Sequence, residues 1–176
     1  MIEAVTHLFS RLCGQNSDHT WAPGGVSLPC CQRCTGLYAG AAVATLLLLW
    51  LRPRLSKRFL AAHGACLLSM LPFGLYWIPQ GPMLRATSGV LFGFGVAVFL
   101  WLPLAARRDW ASHPRRFAAG AHACALLSTI ALIPLLASWG GIGTAYVLAG
   151  WVCVGAASLL ALVLATLLAI AWTPRP

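Results

Sequence analysis

The chain has 176 residues, of which 60% are hydrophobic and only 9% charged, and it carries a formal net charge of +9. A soluble domain of this size has roughly 25% charged residues, so no polar shell is available here and lipid must act as the outer solvent. The cations fall in two short loops, not on a solvated basic face with interleaved aromatics, which excludes nucleic acid as a partner and leaves the lipid bilayer.

Residues 1–13 have neither a basic leader nor a long apolar core, so they do not read as a cleavable signal. Ile2, Val5, Leu8, Phe9 and Leu12 share one helical face, which predicts a short amphipathic helix lying on the bilayer or on the bundle. A compact loop follows, marked by Pro23, Gly24, Gly25 and Pro29. Residues 1–35 form one unit, a cysteine-rich lid, and residues 36–176 a transmembrane helix bundle.

Five apolar stretches are long enough to span a bilayer, which takes roughly 20 residues each: 32–51, 60–78, 84–105, 117–139 and 144–172. The predicted fold is all-α, a polytopic bundle of about five helices with an N-terminal extracytoplasmic lid. Short loops make successive helices antiparallel neighbours. Pro72, Pro103 and Pro134 are expected to kink or end their helices. Gly36, Gly40 and Ala44 recur every four residues in the first span, as do Gly89, Gly93 and Ala97 in the third. Such ladders let backbones approach closely, so these spans either touch one another or build a homo-oligomer.

Arg52, Arg54, Lys57, Arg58, Arg107, Arg108, Arg115, Arg116 and Arg175 fall on one side of this topology, and Arg11, Arg33 and Arg85 on the other. The positive-inside rule then sets the N-terminus outside and the C-terminus inside a plasma (inner) membrane. The lid cysteines face a compartment that tolerates disulfides. Cys66, Cys124 and Cys153 lie within spans and are expected to stay reduced.

The candidate chemistry is concentrated at Cys31-Gln-Arg-Cys34, immediately before the first span. Two cysteines three apart share one helical turn and can chelate a metal or close as a disulfide. The loop can return Cys13 to this pair. With His19 the set becomes Cys13, His19, Cys31 and Cys34, the donor types of a Cys3His zinc site, with copper the other thiophilic candidate and Cys30 the alternative fourth ligand. A second reading is a membrane thiol oxidoreductase. A thiol at a helix start feels the positive end of the dipole, Arg33 adds a cation, and Cys31 is the better nucleophile. A third reading is a small transporter or scaffold whose cysteines only hold the lid. Arg85, Tyr38 and Gln80 lie at similar depth and are candidates to line an outer pocket.

His63 and His122 lie towards the opposite face. They sit in a weak internal echo, Ala62-His-Gly-Ala-Cys-Leu-Leu-Ser69 against Ala121-His-Ala-Cys-Ala-Leu-Leu-Ser128. Ionisable residues within spans are functional candidates. The only acids are Glu3, Asp18 and Asp109, so a carboxylate proton relay across the membrane is excluded. No phosphate loop, nucleotide fingerprint or serine triad is present. The chain reads as a binding protein more than as an enzyme.

Cys13-Gly-Gln15, then Pro29-Cys-Cys-Gln-Arg-Cys-Thr-Gly-Leu-Tyr38, and later Arg85-Ala-Thr-Ser-Gly89 resemble a prokaryotic membrane family, the domain-of-unknown-function family numbered 2085. The resemblance covers roughly residues 9–100. It implies a cysteine site on an integral membrane protein and no established activity. Two positions depart from the family pattern. Its histidine after the first cysteine is Gly14 here, a loss that His19 would offset. Its acidic residue in the second span is absent near Phe73-Gly74.

Overall fold

The apolar periodicity is realised as helices throughout. In the computed structural model, which describes residues 2–53, 55–75, 77–106 and 115–172, the elements are α1 (Ile2–Phe9), α2 (Gln32–Leu51), α3 (Lys57–Leu68), α4 (Met70–Gly74), α5 (Pro82–Ala106), α6 (Arg115–Trp139) and α7 (Ile142–Ala171). Two single turns of 3-10 helix, Ser17–His19 and Pro23–Gly25, lie in the lid.

Among the described residues, four helical segments are long and apolar enough to cross a membrane: Gln32–Leu51, Pro82–Ala106, Phe117–Trp139 and Ile142–Ala171. The stretch expected as a fifth span, over 60–78, is not one continuous helix. It breaks into α3 and α4, each too short to span alone. The break has a local cause. Ser69 caps α3, and its Oγ donates to the Cys66 carbonyl at 2.7 Å. Three residues on, Pro72 lacks the N–H that a continuous helix would need there. Pro103 and Pro134, by contrast, lie inside α5 and α6, which continue through them.

Glycine contacts fix the helix directions. A Cβ on Gly36 would strike Ala86, and one on Gly40 would lie 2.8 Å from the Val90 carbonyl oxygen. Likewise Gly89 faces the Arg33 carbonyl, and Gly93 faces Leu37 and Ala41. The contact advances in step along both helices, so α2 and α5 run parallel, backbone against backbone. The small-residue faces considered for a homo-oligomer are thus covered by each other within the chain. A parallel α2–α5 pair obliges the intervening chain to return along the bundle. It does so as α3 and α4, with Gly64 beside the Phe99 ring and Gly95 beside Leu67, an antiparallel pairing.

Helix α7 runs with α2 and α5. Gly155 packs on the Tyr38 backbone, and further along Thr166 Oγ1 donates to the Leu100 carbonyl at 2.6 Å. Helix α2 is the most enclosed of the spans, 56% buried in its most apolar stretch against 22% for α6 and α7. It is therefore the axis of the bundle, and its first turn carries the cysteine motif. The core around it includes Leu48, Val90, Phe94, Val98 and Leu148. The basic loop 106–116 lies largely outside the described residues.

Candidate metal centre

Cys31 is the N-cap of α2 (φ −63°, ψ 162°), and Cys34 follows in the helix's first turn. Helical geometry alone brings these two side chains together. Cys13 arrives from the lid. The helix α1 ends at Phe9, and the Cys13 N–H closes on the Phe9 carbonyl at 2.9 Å. Gln15 then takes a left-handed conformation (φ 44°) and turns the chain back. Its Nε2 donates to the Thr6 carbonyl at 2.7 Å and the Pro29 carbonyl at 2.8 Å, pinning α1 to the segment before the motif. The Cys31 N–H donates to Cys13 Sγ at 3.3 Å.

The Sγ atoms of Cys13, Cys31 and Cys34 lie within 4.8 Å of one another. Zn–S bonds of about 2.3 Å in a tetrahedron place sulfurs about 3.8 Å apart, so a modest inward closure of three thiolates would hold such an ion. The donor set fits a thiophilic metal. Cys13 is buried, while Cys31 and Cys34 are partly accessible, which leaves an approach to the cluster.

The Cys34 thiol hydrogen-bonds the Cys31 sulfur and pulls the Cys31 pKa down to about 5, against the upward push of burial. Backbone amides of Arg33 and Cys34 and the Cys13 thiol act in the same downward direction. Such a thiolate is ready to bind metal or attack a disulfide at neutral pH. Cys30 behaves oppositely. It is fully buried, and burial, followed by the neighbouring cysteines, pushes its thiol pKa up.

The remaining predicted residues are arranged around this group. His19 lies in the lid turn Ser17–His19 and, like Cys30, is not part of the three-sulfur group. Tyr38 meets Phe9 edge-on, ring centroids 5.2 Å apart, and packs on the cluster of Phe9, Cys13 and Cys30. Arg85 Nη1 donates to Gln32 Oε1 at 3.5 Å, so it contacts the residue beside Cys31. The Arg33 guanidinium reaches α4 and the segment after it. Its Nη2 donates to the Phe73 carbonyl at 3.0 Å and to Gln80 Oε1. A backbone carbonyl at the end of the broken helix thus receives the guanidinium where the family pattern leads one to expect an acid.

Cys153 was missed by sequence reasoning. It lies inside α7, yet it packs with Val152 against Phe9, Cys13 and Cys30. Its signal was visible only as Gly155, the small residue that lets α7 close on α2.

A family model described as predicted membrane protein (DUF2085) matches residues 13–99. Over these residues the chain belongs to that family. The match begins at Cys13 and ends within α5, so it takes in the whole three-cysteine group and the α2–α5 seam that supports it. No curated protein and no solved structure matches the chain.

Proposed function

We propose that this DUF2085 protein is a multi-pass membrane protein that binds a thiophilic metal ion of the zinc type at Cys13, Cys31 and Cys34. The observation that supports this is the convergence of three sulfurs from lid and helix within 4.8 Å. The lid loop and the α2 helix would each supply ligands, so the ion would tie the lid to the bundle. The fourth position is left to solvent, to a cargo ligand or to His19 from the same lid. Cys30 is the poorer donor because burial favours its protonated form.

In this reading the chain crosses five times, with the broken α3–α4 pair as the second passage. The cysteine centre faces outwards, because Arg52, Lys57 and Arg58 follow the far end of α2.

A second reading is favoured by one observation. The low pKa of Cys31, beside the Cys34 thiol, suits thiol–disulfide exchange. The two readings separate in one experiment. Protein purified in detergent without chelator is assayed for metal per chain by elemental mass spectrometry. About one zinc or copper ion per chain, lost in Cys31→Ser and kept in Cys66→Ser, supports the metal reading. Absence of metal from the wild type refutes it, and the disulfide state of Cys31 and Cys34 then becomes the measurement of interest.

A further inference from the structure

A second polar feature lies at the other end of the bundle, away from the cysteines. A cleft of about 680 Å³ opens between α3 and α6. Lys57 and Arg58 stand at its mouth, and Phe59, His63 and His122 form its inner wall. The three rings pack against one another. The His63–His122 centroids are 5.9 Å apart and nearly perpendicular, and Phe59 lies 4.3 Å from His63 and 5.1 Å from His122.

Both histidines are buried, at 7% and 2% exposure. Each ring is held by the turn before it, His63 Nδ1 to the Phe59 carbonyl at 2.9 Å and His122 Nδ1 to the Ala118 carbonyl at 3.0 Å. A carbonyl can only accept, so Nδ1 carries the proton and Nε2 presents a lone pair. His122 Nε2 is buried and has no hydrogen-bond partner. A buried acceptor left unmatched forfeits the hydrogen bond that water would have given it. The site therefore favours an occupant that brings a donor.

The rest of the cleft narrows the class of occupant. Its flanks are small or apolar, and Ala62, Ala119 and Ala123 are exposed along its open side. His63 lies seven residues beyond the Ser56 cap, about 10 Å along the helix, below the level of Lys57 and Arg58. A sugar or glycerol head would bring many hydroxyls to a wall that offers few polar atoms. A flat ring with one or two hydroxyls meets the aromatic wall and the unmatched His122 nitrogen together. A metal ion is less well served, because the only group of three metal-ligating side chains drawn together among the described residues is the cysteine set.

We propose that the α3–α6 cleft binds the ring head of a membrane-borne quinol, with one ring hydroxyl donating to His122 Nε2. The proposal concerns binding alone and is independent of the cysteine centre.

The test uses the full chain, labelled with ¹⁵N-histidine, in phosphatidylcholine nanodiscs under argon. The probes are decyl-ubiquinol and its dimethyl ether, which keeps the ring and tail but lacks both donors. The quinol should move the His122 Nε2 resonance saturably, and the ether should bind at least about 10-fold more weakly. His122→Phe should abolish the difference between the probes. Two results would overturn the proposal: equal titration by quinol and ether, or no saturable shift with the quinol. A third would reassign the cleft to a metal: one equivalent of zinc shifting both histidines in Cys31→Ser protein while the quinol stays silent. The wild-type comparison of the two probes stands even if His122→Phe fails to fold.

Discussion

Replacing Gly89 by alanine should destabilise the bundle, although alanine is the better helix former. The added methyl would strike the Arg33 carbonyl and lie 2.9 Å from the Leu37 nitrogen, both backbone atoms of α2 that cannot rotate aside. The helices must then part by roughly 1 Å, which forfeits about a quarter to a half of the dispersion energy along the seam. Overpacking of this kind costs about 1–3 kcal/mol. Gly150→Ala is the matched control. Gly150 lies inside α7 with nothing within 4 Å of an added Cβ, so it should gain up to about 1 kcal/mol of helix propensity. Unfolding by sodium dodecyl sulfate in mixed micelles, followed by helical circular dichroism, should therefore show opposite signs for the two variants. Gly40→Ala, facing the Val90 carbonyl, should behave like Gly89→Ala. Because Arg33 and Cys34 ride on the same turn of α2, Gly89→Ala should also loosen metal binding. A Gly89→Ala protein as stable as the wild type would refute the close parallel packing of α2 on α5.

Removing the Gln15 amide, as in Gln15→Leu, takes its donor from the Pro29 carbonyl and leaves the Thr6 carbonyl with the Ser10 N–H alone; it should cost about 1–3 kcal/mol and raise hydrogen exchange in α1 before the spans are affected. Unchanged exchange would remove the lid-pinning role. In metal-free protein the alkylation rate of Cys31 should stay level from pH 8 down to about 6 and fall near its pKa of about 5. Linkage has the same sign. The folded pKa lies below the ordinary thiol value of 9.0, so Cys31 contributes stability that is full above pH 9 and declines as the pH falls towards 5. A Cys31 alkylation profile centred near pH 9 would contradict the thiol arrangement at the start of α2.

By itself the sequence was enough for the spans, the cysteine motif and the packing ladders, because each depends on short-range spacing. Apolar runs near 20 residues mark α2, α5, α6 and α7; a CxxC on one turn brings Cys31 and Cys34 together; glycines every four residues mark a close-packed face. Pro72 also foretold the interruption after Ser69, though not that it would leave two pieces too short to span. Tertiary structure decided what depends on which elements meet. The return of Cys13 needed the left-handed turn at Gln15 and its two carbonyl partners. Cys153 joined the cluster because Gly155 lets α7 close on Tyr38, a contact more than a hundred residues distant along the chain. His63 and His122, alike in their local sequences, became neighbours only when α3 and α6 were set on the same end of the bundle. Spacing along one helix fixes which side chains share a face, but the identity of the opposing face is a property of the assembled bundle.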